Sequence, residues 1–129
     1  MIIYYLFFFQ AEDGIRDHCV TEFRRVLFRS VDHRNRQPFG FLSGGASLAL
    51  AENIAGVGSL AICPGKISVG VSVSGTHVKA VLEGDVVEAT ATLIHKGKTL
   101  HTWHVEIKNS EEELISSVTV TNYIIKPRE

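Results

Sequence analysis

One carboxylate stands alone in the most apolar stretch of the chain. Between Arg36 and Lys66 the only formal charge is Glu52, set among alanines, leucines and glycines. An unpaired buried carboxylate costs several kcal/mol or is neutralised by a raised pKa. Helix propensity does not require Glu there, since Ala or Leu would serve. Perturbed carboxylates in such settings cluster at active sites, where they act as nucleophile or general base. The competing reading is a Glu at the solvent edge of a helix or paired to a base. Eight residues earlier, Gly44-Gly45 offers backbone N–H groups at a helix start, where the macrodipole favours negative charge. Such a donor suits the oxyanion of acyl transfer; the competing reading is that two glycines merely let the helix begin tightly against a sheet. Eight residues of helix span ~12 Å, too far for both groups to act on one carbonyl within a single chain. The spacing therefore predicts a two-fold dimer that sets one helix start beside the middle of the other.

The elements that must position these groups are legible. Gln37-Pro38-Phe39-Gly40 is a loop signal. Ser43 is a good N-cap for an Ala- and Leu-rich helix running to about Ala61. That run is apolar all round, which predicts a buried helix, and Ala46, Ala49, Ala51, Ala55, Gly56 and Gly58 would let a sheet wrap close to it. Cys63-Pro64-Gly65 ends it. Four strands follow. Ile67, Val69, Val71 and Val73 alternate strictly with Ser68, Gly70, Ser72 and Ser74; Asp85 to His95 is rich in Val, Thr and Ala; and Lys96-Gly97-Lys98 turns tightly into Thr99 to Lys108. There Trp103, Val105 and Ile107 share one face, and Asn109-Ser110 opens a turn into Leu114 to Ile125. One central helix followed by an antiparallel meander is α+β, a curved sheet around a helix.

Composition bounds the function classes. With 129 residues there is room for one domain, and 13 basic against 14 acidic side chains give no electrostatic case for nucleic acid or an anionic membrane as main partner. Cys19 and Cys63 are too few for a disulfide framework, so a reducing cytoplasm is the expected compartment. The apolar start, Met1 to Phe9, lacks a basic n-region and is far shorter than the ~20 residues that span a bilayer. His101 and His104, three apart on a strand, point to opposite faces and make a poor metal pair. Ser43 and Ser47 have no His at motif distance, and Thr92 stands where a phosphate-binding loop ending in Gly97-Lys98-Thr99 needs its first glycine.

The first thirty residues read differently. FFFQAEDGIRDHCVTEFRRVLFRS resembles translated sequencing-adapter read-through, and the segment matches no clean helical or strand template beyond a short helix over Thr21 to Phe28. We therefore divide the chain into a non-native segment, 1–30, and a domain over 31–129.

Within that domain QPFGFLSGGASLALAEN, GTHVKAVLEGD, HKGKTLHTWHVEI and the closing strand resemble hotdog-fold acyl-CoA thioesterases over Val31 to Ile125. The nearest group holds phenylacetate-pathway enzymes and the 1,4-dihydroxy-2-naphthoyl-CoA hydrolases of menaquinone or phylloquinone synthesis. The resemblance implies a hotdog fold and hydrolysis of an acyl-CoA thioester, the acyl group aromatic, without metal or redox cofactor, in a homodimer or dimer of dimers. It implies Glu52 as catalytic carboxylate, Gly44 as N–H donor to the thioester oxygen, and Gln37 as a positioning group. Coenzyme A contacts are implied for Gly70, His77, Val78, Lys79 and Ala80, and for the turn His95, Lys96, Gly97, Lys98, Thr99 and Leu100. The chain departs from the pattern where many relatives have His at Ser43 and a Ser or Thr at Gly56. The family's N-terminal helix and first strand are expected to be missing, displaced by the foreign segment. Hotdog dehydratases need a His near the central helix, and none lies between His33 and His77. A non-catalytic acyl-CoA-binding domain would have no need for Glu52.

Overall fold

The structure, a computed structural model, describes residues 2–5 and 24–128, with side chains from Val26 onward. Among these described residues, six antiparallel strands and one helix follow in the order β1 (Ile2–Tyr5), β2 (Arg24–Ser30), α1 (Gly44–Ile62), β3 (Ile67–His77), β4 (Val86–Lys96), β5 (Leu100–Lys108) and β6 (Leu114–Ile125). The sheet order is β1-β2-β4-β5-β6-β3. The sheet curls about α1, which touches every strand from β2 to β6.

The helix begins and ends where its capping residues dictate. Ser43 Oγ accepts from the Ala46 N–H at 3.1 Å, and the Cys63 N–H closes the last turn on the Ser59 carbonyl at 3.0 Å. Gly65, at φ 79°, then turns the chain into β3. Leu50, Ala51, Ile54 and Ala55 face inward and are buried against Val87, Ala89 and Ala91 of β4, Trp103, Val105 and Ile107 of β5, and Val118 and Val120 of β6. The small residues do what the sequence indicated at Gly58: a β-carbon there would stand 2.6 Å from Trp103 Cη2. By length and composition α1 could cross a bilayer, but its buried face is that of a core helix.

The fold class holds, and three details are corrected. A short helix is expected at most over Thr21 to Phe28, with the first strand missing, but the structure differs over Arg24–Ser30. That segment is a strand paired with β4 along its whole length, and Leu27 is buried in the core beside Val31. Pairing with β4 and burial of Leu27 outweigh the weak local helical pattern. The expected absence of the N-terminal helix falls largely on residues 6–23, outside those described. The helix is not buried all round: Ala49, Glu52, Asn53, Leu60 and Ala61 lie on an exposed face. Finally, the strict alternation of β3 breaks at a bulge, where the register with β6 shifts between Gly70 and Ser72. Val73 opposes buried Val120 on the helix side, whereas Ile67 and Val69 oppose the exposed Ile125 and Tyr123 outside. The bulge thus turns Ser68 and Gly70, not Ile67 and Val69, toward the helix.

Candidate active site

A cleft of about 370 Å³ opens at the N-terminus of α1 and gathers six of the residues singled out above, Gln37, Gly44, His77, Val78, Lys79 and Ala80. The loop carrying Gln37 is held by its own backbone: the Gln37 N–H donates to the Phe41 carbonyl at 2.7 Å and the Gly40 N–H to the Gln37 carbonyl at 2.9 Å, with Gly40 at φ 88°. The loop is clamped to the segment after β3 by the Leu42 N–H on the Val81 carbonyl (2.8 Å) and the Glu83 N–H on the Gly40 carbonyl (3.1 Å). On the other wall, the Val78 and Lys79 N–H groups both reach the Ile115 carbonyl of β6, at 2.8 and 3.3 Å.

His77 closes the cleft over the helix start. Its Nδ1 lies 2.8 Å from Ser116 Oγ, and its Nε2 would stand 2.8 Å from a β-carbon at Gly44. Glycine at 44 is therefore what lets the imidazole and the first N–H of the helix share this space, and that N–H has no acceptor within the helix. Ser43, by contrast, is turned back on α1 as its cap and does not line the cleft. Lys79 is paired with Glu113, and this ammonium holds the Glu113 carboxyl below the usual carboxylate range, aided by Asn109.

Glu52 lies apart from the cleft. It was expected to be buried; in the single chain it is on the exposed face of α1, beside Gly70 of β3. A β-carbon at Gly70 would collide with its Oε1 and lie 3.1 Å from its Cδ. The turn His95 to Leu100 is farther still, at the opposite end of β4 and β5 from the cleft, closed by the Gly97 N–H on the Leu100 carbonyl at 2.8 Å. One chain therefore presents three separate groups of expected residues: the helix-start cleft, the Glu52–Gly70 pair, and the β4–β5 turn.

Sequence reasoning did not find a buried polar cluster at the C-terminal end of α1. Ser59 Oγ lies 2.9 Å from Trp103 Nε1, 3.0 Å from Asn122 Nδ2 and 3.0 Å from His101 Nδ1. Indole and amide N–H groups can only donate, so they fill both lone pairs of the hydroxyl, and its single proton must go to His101 Nδ1. His101 is thereby fixed as the tautomer with its proton on Nε2, which faces Cys63 Sγ at 3.6 Å. Burial, then Lys96, His95 and Lys66, push the His101 pKa down. The available signal was parity: His101 shares the inward face of β5 with Trp103. His104 points the other way, beside Glu106, as alternation required.

The comparisons with known proteins bear on the whole arrangement. Residues 39–116 match the Thioesterase superfamily, and the chain belongs to that family of acyl-CoA-hydrolysing enzymes. It is 33% identical over 120 residues to the 1,4-dihydroxy-2-naphthoyl-CoA hydrolase of Listeria monocytogenes, covering 92% of this chain and 97% of that protein. Among solved structures, a thioesterase from Haemophilus influenzae superposes with a TM-score of 0.81 at 33% identity, over 99% of this chain and 80% of that one. A Staphylococcus aureus thioesterase superposes with a TM-score of 0.76 at 37% identity, over 81% of this chain and 86% of that one. It was solved with alanine in place of a glutamine and, separately, in place of a glutamate fifteen positions later.

Proposed function

We propose that the chain hydrolyses an aromatic acyl-CoA, of the 1,4-dihydroxy-2-naphthoyl type, at a site shared by two copies. The observation that carries this reading is the separation of Glu52 from the helix-start cleft on a chain whose β3 edge is open. β3 pairs only with β6 among the described strands, and it exposes Val69 and Val71. A long apolar edge strand invites a second strand. Antiparallel pairing of β3 with its counterpart would carry the exposed face of α1 toward the other copy. Glu52 of one copy could then serve the Gly44 cleft of the other.

In that arrangement the thioester oxygen accepts from the Gly44 N–H, and Gln37, fixed by its hairpin, orients the thioester or the water. Glu52 attacks the carbonyl directly or takes a proton from water that does so; either route consumes one water and expels the coenzyme A thiolate. Gln37 and Glu52 are separated by the same fifteen positions as the two residues altered in the S. aureus relative, which supports giving them a joint role. Lys96 and Lys98 are exposed on their turn and suit the phosphates of coenzyme A; Lys79 would exchange Glu113 for such a phosphate. The proposed chemistry calls for no metal or redox cofactor, and the proposed setting is the cytoplasm, in menaquinone synthesis or an allied aromatic-acid pathway.

The test is thiol release from 1,4-dihydroxy-2-naphthoyl-CoA, benzoyl-CoA and a straight-chain acyl-CoA. The reading expects kcat/KM highest for the two aromatic thioesters. Binding of all three without thiol release would favour an acyl-CoA-binding module instead.

A further inference from the structure

Two N–H groups meet in the helix-start cleft without an acceptor between them. The first is that of Gly44, which makes no hydrogen bond among the described residues. The second belongs to His77, and Ser116 decides which ring nitrogen carries it. Ser116 is fully buried on β6, and its hydroxyl has one partner among the described residues, His77 Nδ1 at 2.8 Å. In an uncharged imidazole one nitrogen donates and the other accepts. A proton on Nδ1 would leave the buried hydroxyl proton of Ser116 unmade, which costs free energy. The arrangement that leaves nothing unmade has Ser116 Oγ–H donating to Nδ1 and the ring proton on Nε2.

Nε2 is the atom turned toward the helix start. It lies 2.8 Å from where a β-carbon at Gly44 would stand. The Cα–Cβ bonds of a helix tilt toward its N-terminus, so Nε2–H sits at the end of α1 from which the Gly44 N–H points outward. Both residues line the cleft with Gln37. Two donors cannot bond to each other. What fits between them is an oxygen with two lone pairs, and the helix dipole favours one that carries negative charge.

We propose that His77 is a catalytic residue, the second donor of an oxyanion hole whose first donor is the Gly44 N–H, with Ser116 as its positioning residue. As the nucleophile bonds to the acyl carbon, the carbonyl electron pair moves onto oxygen, which accepts from both N–H groups. The pair returns as the C–S bond breaks and the thiolate leaves. His77 keeps its proton throughout. This rests on the cleft holding the thioester, as proposed above, and not on which group is the nucleophile.

The experiment measures thiol release from benzoyl-CoA and from S-ethyl thiobenzoate, which keeps the thioester and the aryl ring but nothing of the coenzyme. His77 is exposed at the end of β3, so His77→Met and His77→Gln should both fold, which thermal melting checks. His77→Met removes the donor and should lower kcat for benzoyl-CoA by about 10²-fold with KM unchanged, the usual cost of one oxyanion donor. For S-ethyl thiobenzoate kcat/KM should fall by the same factor. His77→Gln should be about tenfold more active than His77→Met, because its amide keeps an N–H. Ser116→Ala frees the ring to take its proton on either nitrogen and should lower kcat by a smaller factor, again with KM unchanged. Parental kcat in His77→Met would overturn the proposal. So would a rise in KM for benzoyl-CoA with S-ethyl thiobenzoate unaffected, which would leave His77 as a grip on coenzyme A alone. A parent protein that releases no thiol from benzoyl-CoA would instead remove the reading beneath it, and the proposal with it.

Discussion

Glu52 and Gly70 face each other between α1 and β3, and the missing side chain at Gly70 is what leaves room for the carboxylate. The pair ties the helix, the bulged strand and the proposed chemistry together. Gly70→Ala should therefore displace a flexible carboxylate rather than backbone. The fold should survive, while kcat falls by about 10²-fold, the usual cost of misplacing a reacting group by an ångström. Melting curves beside steady-state kinetics check this; equal loss of both would mean that Gly70 matters for packing alone.

Gly58 makes the opposite kind of contact. A β-carbon there would press on the rigid, fully buried indole of Trp103, whose Nε1 is already committed to Ser59. Gly58→Ala should destabilise the protein by about 1–3 kcal/mol, the cost of overpacking a core. Chemical denaturation should show a lower midpoint with an unchanged slope.

The Ser59 cluster predicts a pH dependence of stability. Its hydroxyl already donates to His101 Nδ1, so protonating that nitrogen would break the bond and add a buried charge. The folded pKa of His101 lies below its ordinary value of 6.5. Below that value the unfolded chain binds the proton more readily than the folded one. The contribution is thus complete above pH 6.5 and lost as pH falls through the folded pKa. Tm should decline on acidification through this range. His101→Gln, which keeps an acceptor for Ser59, should flatten the decline.

The open edge of β3 predicts assembly. Val71→Lys places a charge at an exposed position of the bulge, a device that blocks edge pairing. Light scattering should report a smaller species than the parent protein, with secondary structure intact and thiol release lost. A variant that remains the parent's size and active would exclude β3 from the shared site.

Much of this was readable in the chain. The Ser43 cap, the Cys63-Pro64-Gly65 stop and the alternation of β4 to β6 placed those elements to within a residue or two, because caps, turns and period-2 burial are local signals. The bulge in β3 was not readable: Ile67 to Ser74 alternates without a break, and the slip arises from pairing with β6. Nor was the strand Arg24–Ser30, where Leu27, deeply buried, sits in a charge-dense stretch. For the candidate site, types and spacing singled out Gly44 and Glu52, and the family resemblance added Gln37. They could not show that Glu52 lies on an open face, or that Ser59 and Ser116 are the serines paired with His101 and His77, since one sequence does not reveal which of many small polar residues the fold turns inward.

The central claim is that Glu52 is the carboxylate that drives thioester hydrolysis, and one measurement addresses it most directly. Thiol release from 1,4-dihydroxy-2-naphthoyl-CoA should be compared between the parent chain and Glu52→Ala, with both shown folded by melting and equal in size. We expect kcat to fall by about 10³-fold, within the range for losing a general base. A folded Glu52→Ala protein that turns over at the parent's rate would contradict the account.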